Sequence, residues 1–123
     1  MATTRKILVV DDSPTERFFI ADLLAKRGYA VVTAENGTEA LAKIRSERPS
    51  LVVMDVVMPG ASGFQVTRAM TRDPETQAIP VILCTSKSTE TDRIWGLRQG
   101  AREYLTKPVD AEELLAKIAG LVH

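Results

Sequence analysis

The sequence of 123 residues has one cysteine, one tryptophan and one histidine, and its formal net charge is zero. With Cys84 alone, neither a disulfide framework nor a thiolate metal cage can form within the chain. Cys84 ends an apolar run and reads as a core residue. Sixteen basic residues balance sixteen acidic ones, so a basic footprint for nucleic acid is missing. Arg93, Arg98 and Arg102 recur, but Glu90, Asp92 and Glu103 are interleaved with them, as on a mixed solvated surface. No stretch approaches ~18 consecutive apolar residues, and the Met-Ala-Thr-Thr-Arg-Lys start carries no apolar signal segment. A cytoplasmic protein without membrane insertion is expected. His123 has no second histidine to work with and is given no role. Since no repeat, low-complexity tract or Pro/Gly-rich linker interrupts the chain, one domain over residues 1–123 with no separate output module is expected.

What is present is an alternation of short apolar runs with longer amphipathic ones. Residues 7–10, Ile-Leu-Val-Val, read as a strand buried on both faces. Ser13-Pro14-Thr15-Glu16 matches a capping box with proline at the first helical position. The helix behind it carries Phe19 and Leu23 on one face with Ile20 and Leu24 beside them, and Gly28 closes it. Residues 30–34 make a second strand, Asn36-Gly37 a turn, and residues 38–47 a helix presenting Ala40, Leu41 and Ile44 until Arg48-Pro49 stops it. A third strand spans 51–54, followed by a loop marked by Pro59, Gly60 and Gly63 and a helix with Phe64, Val66 and Met70 inward. Pro80 opens a fourth strand at 81–84. The fourth helix covers 88–99 up to Gly100, and Gly96 inside it weakens it by about 1 kcal/mol relative to alanine. Its large apolar residues are few (Ile94, Trp95 and Leu97), which suits a movable element, and Trp95 fits a partner anchor and simple packing equally well. Residues 103–106 form a fifth strand. A last helix starts near Asp110, with Glu112 and Glu113 where the dipole favours acids and Leu114, Leu115, Ile118, Leu121 and Val122 as its apolar stripe.

Strands that alternate with helices are parallel, with helices on both faces, so the fold class is α/β with an open doubly wound sheet. Ligands of such sheets bind beyond the carboxyl ends of the strands. That edge would collect Asp11 and Asp12 after the first strand, Asp55 after the third, Thr85 and Ser86 after the fourth, and Lys107 after the fifth. Crowded carboxylates repel one another and raise at least one pKa, a conflict that a divalent cation relieves. Mg²⁺ takes oxygen ligands, typically one or two carboxylates plus waters and a phosphate. Phosphoryl transfer needs an in-line nucleophile and compensation for the negative charge on the equatorial oxygens. Asp55 can be that nucleophile, Lys107 can supply charge beside Mg²⁺, and the Thr85 hydroxyl can bond a phosphoryl oxygen.

In these residues the chain resembles the receiver domain of bacterial two-component response regulators, in the stand-alone form found in chemotaxis and twitching motility. The carriers are Asp11-Asp12, Asp55 within Met54-Asp55-Val56-Val57-Met58-Pro59-Gly60, Gly63, Thr85 and Lys107-Pro108, and they span nearly the whole chain. The resemblance implies a flavodoxin-like (βα)₅ fold of five strands in order 2-1-3-4-5 and five helices. It implies Mg²⁺ held by Asp12, Asp55 and the backbone carbonyl of Val57, with Asp11 acting mainly through water. Asp55 would accept phosphate from the phosphohistidine of a sensor histidine kinase, of the chemotaxis type. Lys107-Pro108 would be a cis peptide, Thr85 would move toward the phosphoryl group, and Tyr104 would switch rotamer. The face made by the fourth helix, fifth strand and fifth helix would then dock a downstream protein. A monomer is expected, with at most weak dimer formation. Ser86 stands where alanine or glycine is frequent, and Val57 and Lys87 occupy positions that tune phosphate lifetime in the family.

Two other functions fit the architecture. A phosphatase using an aspartyl-phosphate intermediate needs a second acid two residues after the nucleophile, and that position is Val57, so chemistry confined to the protein itself is expected rather than enzymatic turnover. A flavin or nucleotide carrier needs a glycine-rich phosphate loop after the first strand, where Asp11-Asp12 stands instead.

Overall fold

The computed structural model describes residues 5–122, so the readings of the first residues and of His123 fall outside the described part. The order is β1 (Lys6–Val10), α1 (Pro14–Ala25), β2 (Ala30–Ala34), α2 (Gly37–Glu47), β3 (Leu51–Met54), α3 (Gly63–Arg72), β4 (Val81–Thr85), α4 (Glu90–Arg98), β5 (Glu103–Thr106) and α5 (Ala111–Leu121). The strands form one sheet in the order β2-β1-β3-β4-β5, with every neighbouring pair parallel. The expected architecture and strand order are therefore the observed ones.

The period of two along β1 sends its side chains to opposite faces. Ile7 and Val9 pack with Ile20 and Leu24 of α1 and Leu114 and Ile118 of α5. Leu8 and Val10 pack with Ala40 and Ile44 of α2 and Val66 and Met70 of α3. Four of the five residues of β1 are buried. Each fully buried aliphatic side chain contributes about 1.5–3 kcal/mol, so the strand that carries Asp11 is anchored at the centre of the sheet.

The helix starts differ in detail from the sequence reading. Ser13 does cap α1, accepting from the Glu16 N–H at 3.3 Å with Pro14 in the first turn. The Ser13 N–H, however, donates to Asp11 Oδ1 at 2.9 Å, which leaves the Glu16 carboxylate free for another partner. A complete capping box forms instead at Ser62 and Gln65 of α3. Asn36-Gly37 is not a free turn: Asn36 accepts from the Glu39 N–H at 2.9 Å, and Gly37 is the first residue of α2. Nor does α1 bury Phe19. Ile20 and Leu24 occupy the core-facing stripe, and Phe18 and Phe19 are 71% and 50% exposed.

Helix α4 is shorter than expected, starting at Glu90 behind the cap Thr89. Its one buried residue is Gly96. A Cβ there would lie 2.9 Å from Tyr104 Cδ2, so the glycine lets the helix backbone settle directly on the tyrosine ring. No helix among the described residues is long and apolar enough to cross a membrane.

Candidate functional site

The ladder delivers the acids. Beyond Val10, the Asp11 N–H continues the pairing to Ala34 O at 3.1 Å, and the Asp55 N–H donates to Val10 O at 3.0 Å. Asp11 and Asp55 thus leave adjacent strands side by side. One oxygen each from Asp11, Asp12 and Asp55 lies within 4.8 Å of the others. Asp11 is 1% exposed and Asp55 8%, while Asp12 faces solvent.

Gly63 closes the wall behind Asp55. A Cβ at that position would overlap the Asp55 carbonyl oxygen and stand 2.9 Å from Val56 Cα. The Gly63 N–H donates to Val56 O at 2.9 Å, which ties the entry of α3 to the acidic loop. Asp55 Oδ1 accepts from the Val56 N–H at 2.7 Å and the Val57 N–H at 3.4 Å.

Lys107 enters from the end of β5, carried by the cis Lys107-Pro108 peptide. Its Nζ lies 2.8 Å from Asp11 Oδ2, 2.7 Å from Glu16 Oε2 and 3.4 Å from Asp55 Oδ2. Burial opposes charge on this amine, but the hydrogen bonds to Asp11 and Glu16 and the charges of Asp55 and Asp11 outweigh it, so the pKa lies above the ordinary lysine range. Burial pushes the Asp55 carboxyl above its ordinary value; Lys107 pulls it down, the Asp11 charge pushes it up, and Thr85 and the Val56 N–H also lower it. Asp55 is therefore a carboxylate whose charged form is under strain, beside one ammonium shared among three acids. The donor set is all oxygen, which suits a hard cation such as Mg²⁺ over softer metals.

Thr85 ends β4 fully buried, and its Oγ1 accepts from the Lys87 N–H at 3.2 Å. The Lys87 carbonyl in turn accepts from the Tyr104 hydroxyl at 2.6 Å. Tyr104 is 9% exposed, so its ring is turned inward, and burial and the nearby Asp92 charge push its pKa up to about 12. Cys84 is a core residue as read, its thiol pushed up to about 12 by burial. Val57 is 56% exposed on the rim beside Asp55, and Trp95 is half exposed on α4.

Of the residues singled out from the sequence, Asp11, Asp12, Asp55, Val57, Thr85 and Lys107 thus lie at or just beyond the carboxyl ends of the strands, and Tyr104 lies within β5, linked to them through the Lys87 carbonyl. Two participants were missed. Glu16, a capping residue by its sequence position, is a direct partner of Lys107. Arg17 donates to the Asp11 carbonyl at 2.8 Å and pairs with Glu35 at 3.3 Å, pinning α1 to the acidic loop. The one sequence signal for Glu16 was an acid in a first helical turn, which has a sufficient local explanation.

Known proteins are similar to this chain in sequence and fold. The chain is 58% identical over 113 residues to Protein PilH of Pseudomonas aeruginosa, covering 92% of this chain and 93% of that one. It is 39% identical to the phosphate regulon transcriptional regulatory protein PhoB of the same organism, spanning 96% of this chain but about half (52%) of that protein. The crystal structure of the chemotaxis response regulator CheY4 of Vibrio cholerae superposes with a TM-score of 0.90 at 32% identity, covering 98% of this chain and 100% of that one. Residues 7–119 match the response regulator receiver domain. With sheet order, acidic edge and sequence in agreement, the chain belongs to the response regulator receiver domain family.

Proposed function

We propose that Asp55 accepts a phosphoryl group from the phosphohistidine of a sensor histidine kinase in a Mg²⁺-dependent step, and that the resulting charge switches the α4-β5-α5 face for docking. The observation that carries this reading is the convergence of Asp11, Asp12, Asp55 and Lys107 on one sheet edge, where burial raises the Asp55 pKa above its ordinary value.

An oxygen of Asp55 attacks phosphorus, the P–N bond of the donor breaks, and its electron pair stays with the imidazole nitrogen, which is reprotonated. Asp12, Asp55 and the Val57 carbonyl would hold Mg²⁺, with Asp11 acting through water. The ion, when bound, neutralises charge on the phosphoryl oxygens. Lys107 supplies the second positive charge. The Val56 and Val57 N–H groups orient the Asp55 carboxylate. Nothing at Val57 can protonate a leaving group on an external phosphoester, which supports self-modification rather than turnover.

A relay connects the acid to the docking face. The Thr85 hydroxyl is held by the Lys87 N–H, and the Lys87 carbonyl holds Tyr104. A phosphoryl oxygen that recruits the Thr85 hydroxyl as donor shifts this link and loosens the seat of α4 on the Tyr104 ring; Ile94 and Trp95 of α4 are 42% and 49% exposed. The donor has its own landing surface: a cleft of about 300 Å³ lined by Phe19, Ile20, Pro108 and Val109 lies directly beside Lys107. Pilus-driven motility is the proposed pathway, supported by the 58% identity to PilH.

Incubation with acetyl phosphate, with and without Mg²⁺, read by intact mass, tests the reading. One added phosphoryl group is expected, dependent on Mg²⁺ and lost in Asp55→Asn; phosphorylation unchanged by that substitution would overturn it.

A further inference from the structure

A second polar cleft lies at the other edge of the sheet. Helix α3 starts beside Asp55 and runs away from it, and Arg102, following α4, donates to Val81 O at the entry of β4 at 2.8 Å. The ends of α3 and α4 therefore meet far from the acids. Between them, Arg68, Thr71, Arg72, Arg98 and Gln99 line a cleft of about 270 Å³.

Three features mark it as a built site. No carboxylate lines it, and among the described residues none of its three solvent-exposed arginines forms an ion pair, although the exposed Arg45 and Arg93 pair with Asp73 and Glu90. Gln99 is 9% exposed, and its backbone is committed: its N–H donates to Trp95 O and Gly96 O, and its carbonyl accepts from Thr71 Oγ1 at 2.9 Å. Its side-chain amide has no hydrogen-bond partner among the described residues, yet no fully sequestered polar side-chain atom lacks one. The amide therefore reaches the cleft. Finally, the wall depends on Gly100, whose φ is +115° and where a Cβ would overlap Thr71 Cγ2. Thr71 and Gly100 hold the two helix ends in close contact.

From this geometry we infer that the cleft binds a compact diphosphate group. Guanidinium forks match phosphate oxygens bidentately, and an amide N–H₂ adds a neutral donor. Three arginines lining one cleft offer enough positive charge to match more than a monoanion. The volume lies just below the ~300–1,000 Å³ of drug-sized ligand sites, so the recognised part is small. Occupancy braces the end of α4 against α3.

The test is isothermal titration calorimetry of the full chain in EDTA, so that the acidic edge carries no ion and repels anions. Sodium pyrophosphate and ADP are titrated in parallel. Saturable one-to-one binding with Kd below about 1 mM is expected. Tighter binding of ADP identifies a nucleotide as the source of the diphosphate, and equal binding identifies the diphosphate alone; both support the site. Arg68→Ala and Arg98→Ala, each checked for folding by circular dichroism, should weaken binding about tenfold or more, as expected for lost charged hydrogen bonds. Gln99→Ala should weaken it less, and Arg27→Ala, at an exposed position beyond α1, should leave it unchanged. No saturable heat up to about 10 mM, where affinity is below any useful range, overturns the proposal. Equal weakening by Arg27→Ala overturns it as well.

Discussion

Replacing Gly96 with alanine sets two effects of known size against each other. In an exposed helix interior the change stabilises by about 1 kcal/mol. In α4 the new Cβ would stand 2.9 and 3.0 Å from Tyr104 Cδ2 and Cε2 and 3.1 Å from Leu83 Cδ1. Neither neighbour yields easily, since Leu83 is fully buried and Tyr104 is anchored to the Lys87 carbonyl at 2.6 Å. Overpacking of this kind costs about 1–3 kcal/mol, so the net expectation is a destabilisation of about 0–2 kcal/mol. In a Tyr104→Ala background the two nearest contacts are gone, and the same Gly96→Ala change should now stabilise by up to about 1 kcal/mol. The double-mutant cycle should then give a coupling of about 1–3 kcal/mol. Urea denaturation followed by far-UV circular dichroism, with m-values unchanged, measures it. A coupling of zero, or stabilisation by Gly96→Ala in the otherwise native chain, would refute the claim that this glycine exists to seat α4 on Tyr104.

Two further outcomes concern the acidic edge. Lys107→Gln leaves Asp11 and Asp55 buried without their shared cation and should lower metal-free stability by about 3 kcal/mol, the low end for breaking a buried pair; a loss under about 1 kcal/mol in urea melts would place the interaction with ordinary surface pairs. Asp55 has a raised pKa, so the folded state holds its proton more tightly than the unfolded chain, and its contribution to stability falls as pH rises from 3.8 through the folded value. Asp55→Asn removes that penalty, so its Tm advantage in EDTA should be near zero below pH 3.8 and grow to a plateau above the folded pKa; an advantage independent of pH would contradict the assigned cause.

The sheet and its acidic edge were legible because each depends on local pattern. Apolar runs, helix stops and the single residues following each strand are read position by position, and parallel topology then forces Asp11, Asp55, Thr85 and Lys107 to one side. What stayed hidden depends on distant chain. Glu16 lies 91 residues from Lys107, and nothing near Glu16 reveals the ammonium that claims it. Gly96 looked like a weakness in a helix because Tyr104, its reason, sits on another element. Phe19 fitted an apolar stripe by spacing, but Ile20 and Leu24 already filled the space over β1. Asn36 and Gly37 carry turn chemistry that serves equally well as a helix entry.

The three-way grip of Lys107 also bears on how the protein meets a metal ion. Its ammonium offsets only part of the negative charge of Asp11 and Asp55. A divalent cation that arrives at Asp11 and Asp55 competes with an amine only 2.8 and 3.4 Å from the same oxygens. In the proposed reading, part of the ion's attraction would go into loosening that amine, which weakens the site's net hold on the ion.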